Sequence, residues 1–244
     1  MTDTSTTGFF GRFAPLILAI LIGGAIGWFA HSQSWGQDRA GTEKIVREYI
    51  LANPEILPEA MANLQRRESA KQLTGMREDV EKPFPGAILG NPQGKTTLVE
   101  FTDFGCTFCR QSVADVEALI AADPDLRIVV RELPILSAES VTAARMALAA
   151  AEQGKYAAFH HAMFAAGRPD AATIDAAAKA AGLDLERARR VAEDPQVEAE
   201  LERNLALARR LGFNGTPSWI VGDEVLSGAV GKDQLAAAIA KSRS

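Results

Sequence analysis

The sequence predicts an α/β fold in which a mixed sheet is flanked by helices and interrupted by a large helical insertion. Three observations predict it. Two runs rich in β-branched and aliphatic residues, 96–102 (TTLVEFT) and 126–133 (LRIVVREL), bracket a helical pattern. An alanine-rich stretch, 137–211, has helical composition broken by Gly and Pro. The end of the chain returns to strand residues, a tight turn and a last helix.

Taken in order, residues 1–12 form an N-terminal tail ending at Arg12, and residues 13–30 (FAPLILAILIGGAIGWFA) contain no charge. A run of that length, apolar on all faces at the N-terminus, reads as an export signal or a transmembrane anchor rather than a buried core helix. Ala30-His31-Ser32 supplies a small-x-small cleavage site, yet the run is longer than a usual signal peptide, so a retained anchor is the reading taken. Either way the remainder lies outside the cytoplasm, where disulfides persist.

Residues 31–81 read as a helical oligomerisation region and linker. After a polar spacer at 31–41, Ile45, Val46, Tyr49 and Ile50 share one helical face up to Asn53-Pro54. Ile56, Leu57, Met61 and Leu64 mark a second helix, and the polar run 65–82 a solvated helix or linker. These faces are too small for a core of their own and must pack on the main domain or on copies of themselves; a homo-oligomer is expected.

The Pro- and Gly-rich stretch 82–94 opens the domain at 82–244. Ala87-Ile88-Leu89 is a short strand and 96–102 a buried central one. Residues 111–122 form a helix with Val113, Val116, Leu119 and Ile120 inward, which places Cys106 at or just before its N-terminus. The strand 126–133 closes at Pro134. The insertion 137–211 breaks at Gly154, Gly167-Arg168-Pro169, Gly182 and Pro195. A hairpin follows, 218–221 and 224–226 around Gly222-Asp223, and then a helix at 232–240.

Composition is that of a globular protein, 47% hydrophobic and 23% charged, and the net charge of -5 has no basic stripe, which argues against a nucleic-acid partner. The 2 cysteines stand three apart, in Cys106-Thr107-Phe108-Cys109. With both used, none remains for a separate structural disulfide, and no second CxxC completes a four-thiolate zinc site. Redox chemistry is the expectation, with no metal and no cofactor beyond the Cys106-Cys109 disulfide itself.

The chemistry follows from position. A thiolate does the attacking in disulfide exchange, and a helix N-terminus lowers the pKa of a cysteine through its dipole and unpaired N–H groups. Cys106 is thus the nucleophile, and Cys109, one turn on, the buried partner that resolves a mixed disulfide. His160 and His161 are adjacent and point about 100° apart, so they do not face one metal together; they receive no role. Glu100, inside the apolar strand six residues before Cys106, either takes the proton of Cys109 as a buried acid or turns to solvent on an edge strand. Thr216-Pro217, just before a strand, is either a cis pair turning the Thr216 backbone toward the sulfurs to bind an extended peptide, or a trans proline opening an edge strand.

FTDFGCTFC (101–109) and GTPSWIV (215–221) resemble the DsbA-like branch of bacterial thioredoxin-fold thiol:disulfide oxidoreductases. Residues 42–72 resemble the N-terminal helical region of the suppressor-of-copper-sensitivity C proteins. The resemblance implies a thioredoxin fold with inserted helices, catalysis by Cys106 and Cys109, a cis Pro217 and a buried acid at Glu100. It also implies substrate contacts at Thr216, Pro217, Thr107 and Phe108, with cysteine-containing exported proteins as substrates and a membrane redox partner. One departure bears on direction: strong oxidants of the family carry Pro-His between the cysteines, where this chain has Thr107-Phe108. Two enzymatic readings follow, an isomerase or reductase, toward which the departure leans, and a thiol oxidase. A non-catalytic scaffold with a structural CxxC is the reading from another class.

Overall fold

A computed structural model describes the backbone of residues 10–243 and the side chains of residues 20–29 and 39–243. The chain divides into two compact units, one up to Ala62 and one from Asn63 onward.

The first unit is almost wholly α1 (Phe10–Ala52), followed by the start of α2 (Ile56–Leu73). The sequence reading places a spacer at 31–41; instead the helix runs through it. No proline occurs between Pro15 and Pro54, and Arg39 pairs with Glu43 at 3.1 Å across one turn. Of the expected tail at 1–12, residues 1–9 lie outside the described residues and 10–12 begin α1; the side chains of 10–19 and 30–38 also lie outside them. Among the described residues no helix is long and apolar enough to cross a membrane. Ile45, Val46, Tyr49, Leu57, Met61 and Leu64 are exposed.

The second unit carries a five-stranded sheet in the order β1-β3-β2-β4-β5. The strands are β1 (Ile88–Gly90), β2 (Thr96–Thr102), β3 (Leu126–Glu132), β4 (Ser218–Val221) and β5 (Glu224–Ser227). β2 and β3 are parallel, joined by α4 (Thr107–Ala122); β1, β4 and β5 run antiparallel to their neighbours. This is the mixed sheet that the sequence predicts, with β2 at its centre because its residues are buried on both faces.

Alternation along the strands divides the core. Leu98, Ile128, Val130 and Trp219 face α4, the insertion helices α5 (Ala138–Glu152), α6 (Tyr156–Ala166), α7 (Ala171–Ala180) and α8 (Leu185–Ala192), and the terminal α10 (Lys232–Lys241). Val99, Phe101, Val129 and Ile220 face Leu207, Ala208 and Leu211 at the end of α9 (Pro195–Arg210) and its exit.

That second face is also closed by Leu73, Met76 and Val80, from the end of α2 and the short α3 (Arg77–Glu81). The polar run 65–82 is therefore more than a solvated linker. Leu73, Met76 and Val80 all turn inward, and Arg131 of β3, fully buried, ties the segment down. The Arg131 guanidinium donates to the carbonyls of Val80 at 3.0 Å and of Asp79, and pairs with Glu200 at 2.8 Å. These carbonyls lie at the C-terminal end of α3, where a cation meets the negative end of the helix dipole.

Candidate active site

Cys106 is the N-cap of α4, extended at φ -84° and ψ 121°, and the helix starts at Thr107, four residues before the predicted start at 111. Its amide closes a turn on the Asp103 carbonyl at 2.9 Å. Asp103 itself is buried and fully engaged. One carboxylate oxygen accepts the Gly105 amide at 2.7 Å; the other accepts the amides of Ile135 and Leu136 at 2.9 and 3.0 Å. The loop carrying Cys106 is thereby fastened to the loop after β3. The packing leaves no room at Gly105, where a Cβ would stand 2.7 Å from the Ser140 hydroxyl.

Both thiols are free, and they differ in environment. Cys106 is 6% exposed and Cys109 is 0% exposed. The Cys106 thiol donates to the Thr216 carbonyl at 3.2 Å, on the far side of the cis Thr216-Pro217 bond. Ionised, the same sulfur is held by the Cys109 thiol, the Thr216 side chain and the amides of Cys109 and Phe108. These outweigh burial and pull its pKa down to about 5. Cys109 moves the other way: burial, the neighbouring Cys106 sulfur and the Glu100 carboxylate all push its thiol up.

Glu100 is buried at mid-strand, flanked by Val130 on β3 and Trp219 on β4. The alternative of an edge-strand residue turned to solvent is excluded. With apolar neighbours on both sides, burial raises its carboxyl to about 8, against a smaller opposing effect of Thr102, and Glu100 Oε2 has no hydrogen-bond partner.

The fold thus brings Cys106, Cys109, Glu100, Thr216 and Pro217 to the end of β2, the start of α4 and the entry to β4. Thr107 and Phe108 point outward, Phe108 being 59% exposed, and Ile135 and Leu136 are likewise exposed beside the Asp103 turn. A groove of about 170 Å³ runs along Gly212, Asn214 to Ser218, Ser227 and Gly228, next to Thr216. His160 is buried with both ring nitrogens unpaired, held neutral by burial that lowers its pKa to about 3, whereas His161 is half-exposed and meets Glu117 at 2.7 Å. Among the described residues no cluster of His, Cys, Asp or Glu could hold a metal ion.

Sequence reasoning missed Asp103, Thr102, Glu132 and Tyr156. Asp103 had a signal, an aspartate two residues before a glycine at a helix start, which is the pattern of an Asx turn. Glu132, at the end of a β-rich run, had none beyond its charge.

The model for the DSBA-like thioredoxin domain matches residues 97–240. The chain belongs to that family. Residues 38–71 match the copper resistance protein ScsC N-terminal domain. A thioredoxin-like oxidoreductase from Silicibacter pomeroyi DSS-3 is 43% identical, over 68% of this chain and 97% of that one, with a TM-score of 0.66. A periplasmic thioredoxin-like protein from Salmonella enterica serovar Typhimurium is 29% identical over 68% of this chain and 95% of that one, with a TM-score of 0.61. The curated relative Na(+)/H(+) antiporter NhaA of Herminiimonas arsenicoxydans is 32% identical over 64% of this chain, and the chain spans about a quarter of the length of that relative. On a DSBA-like thioredoxin domain, the unequal pair of thiols at a helix N-terminus is chemically suited to thiol–disulfide exchange.

Proposed function

We propose that the chain is an exported protein disulfide isomerase or reductase working on cysteine-containing proteins in the periplasm. The asymmetry of the dithiol carries the exchange chemistry: the pKa of Cys106 at the helix N-terminus is pulled down to about 5, and the buried Cys109 thiol is pushed up. Thr107-Phe108 in place of Pro-His carries the lean to isomerase or reductase. The Cys106 thiolate attacks a substrate disulfide, forms a mixed disulfide and releases one substrate thiolate. If that thiolate, or another on the substrate, attacks back, the substrate disulfide is rearranged and Cys106 is recovered. If Cys109 attacks Cys106 instead, giving its proton to Glu100, the substrate leaves reduced and the Cys106-Cys109 disulfide remains. A membrane partner then re-reduces it, with no other cofactor required.

The Thr216 carbonyl next to Cys106, the groove beside it and the exposed Phe108 support a binding site for extended polypeptide. Similarity to a periplasmic neighbour and to the ScsC N-terminal domain supports the compartment. The uncharged run 13–30 and the exposed Ile20, Leu21, Ile22 and Ile26 support a tether to the inner membrane; Edman sequencing that starts near Gln33 would replace the tether by a cleaved signal. The exposed faces of Ile45, Val46, Tyr49, Leu57 and Met61 support a homo-oligomer through residues 42–72, to be checked by light scattering.

The low Cys106 pKa favours a second reading, a thiol oxidase, since a stabilised thiolate makes the reduced form the more stable one. The potential of the Cys106-Cys109 couple against glutathione decides between them. A value near -270 mV supports the reductant and a value near -120 mV the oxidant. Refolding of scrambled ribonuclease then separates an isomerase from a plain reductase.

A further inference from the structure

Behind Cys109 the face of the sheet that carries Glu100 bears a second buried carboxyl. Glu132, fully buried, is the last residue of β3, and the parallel register sets it directly beside Thr102, two residues from Glu100 on the same face of β2. Tyr156 of α6 donates its hydroxyl to Glu132 Oε1 at 2.6 Å. Three buried oxygens on this face, Glu100 Oε2, Thr102 Oγ1 and Glu132 Oε2, have no hydrogen-bond partner. A buried polar atom is rarely left so, and a proton on either carboxyl would supply a donor to these oxygens.

Among the described residues, no cation acts on Glu132 to balance two charges. The titratable and polar groups around Glu132 are Glu100 and Thr102 from β2, Asp103 just after it, and Tyr156 from α6; the neutral His160 packs on the Tyr156 ring, and Cys109 of α4 adjoins Glu100. Asp103 is committed to three backbone amides, and Arg131 lies on the opposite face with Glu200. Two carboxyls in one dry space do not both ionise; they titrate as a pair.

We propose that Glu100 and Glu132, set on one face of the sheet on either side of Thr102, titrate as a coupled carboxyl pair that holds one proton between them, and that Glu132 is the positioning residue that makes Glu100 a proton acceptor for Cys109. The proposal rests on the dithiol reading above and deepens it. In the resolving step the Cys109 sulfur attacks Cys106 in the mixed disulfide and the Cys106–Cys109 bond forms. The bond to the outgoing thiol breaks, and that sulfur leaves as thiolate with the electron pair. The Cys109 proton passes to the dyad, where Glu132, held by Tyr156, spreads the remaining charge over both carboxyls. Burial raises the carboxyl of Glu132 as it does that of Glu100, in keeping with a pair that holds its proton near neutral pH.

The test mixes the reduced full chain with glutathione disulfide between pH 5 and 10 and follows two phases: formation of the Cys106 mixed disulfide, and release of the second glutathione by Cys109. In the unsubstituted protein the second phase rises with pH in two steps that belong to the pair. Glu132→Gln and Glu100→Gln should each leave one step and slow this phase at neutral pH by at least about tenfold, the loss expected of a missing proton acceptor. The double variant should lose no more than the worse single, because the carboxyls act as one unit. The first phase should stay within about twofold, since Cys106 is untouched. Tyr156→Phe, which leaves both carboxyls and removes the donor that favours ionised Glu132, should move the upper step to higher pH; it serves if Glu132→Gln fails to fold. A Glu132→Gln profile that superimposes on the unsubstituted one, losses that multiply in the double variant, or an unmoved Tyr156→Phe profile overturns the proposal. No second phase in the unsubstituted protein overturns the dithiol reading itself and is distinguishable from these.

Discussion

The carboxylate of Asp103 accepts the backbone amide of Leu136 at 3.0 Å, joining the turn that precedes Cys106 to the loop that follows β3. The same side chain holds the amides of Gly105 and Ile135, so one buried anion satisfies three donors from two loops. Asp103→Asn presents an NH2 group where an acceptor is needed and removes the charge. The expected loss is about 2–3 kcal/mol of stability, read from urea unfolding with an unchanged m-value. Alkylation of Cys106 should slow in parallel as its loop loosens.

Thiolate absorbance of Cys106 should titrate with a midpoint near 5, well below the value of about 8.5 for free cysteine. The Cys109 thiol is the largest stabilising contact, so Cys109→Ala should move the midpoint upward. Because the folded pKa is depressed, this ionisation stabilises the reduced protein. The contribution is complete above about pH 8.5, the unfolded value, and disappears as the pH falls through 5. Unfolding of the reduced chain across that window checks the sign.

Arg131 and Glu200 form a buried pair, and Arg131 also caps the end of α3. Removing one partner leaves an uncompensated charge, so Glu200→Gln or Arg131→Met should each cost about 3–5 kcal/mol. Arg131→Met should in addition free residues 77–82, which limited proteolysis detects as new cleavage there.

Phe108 is exposed, so Thr107→Pro with Phe108→His should leave unfolding free energy within about 0.5 kcal/mol. The added imidazole should stabilise the Cys106 thiolate further. The potential should rise by about 30 mV or more, a tenfold change in the equilibrium constant against glutathione. A lower potential would show that the residues between the cysteines do not direct the electrons as argued.

Much of the site is legible in the linear chain because its chemistry is local. Cys106 and Cys109 sit one helical turn apart, β2 ends just before them, and Glu100 precedes them on that strand, so spacing and periodicity alone align them. The same locality explains the boundaries that differ. The first turn of α4 has no apolar stripe to mark it, and Leu73, Met76 and Val80 are hidden in a run dominated by charge.

Sequence by itself determined the dithiol, its place at a helix start, the order of strands and helices, and the uncharged N-terminal run. Only the tertiary structure decided which distant groups meet the sulfurs. The Thr216 carbonyl reaches Cys106 across 110 residues, and the register of β2 against β3, not any property of its own neighbours, brings Glu132 alongside Thr102. A strand's pattern states which residues share a face; its partner and register depend on the closure of the whole sheet.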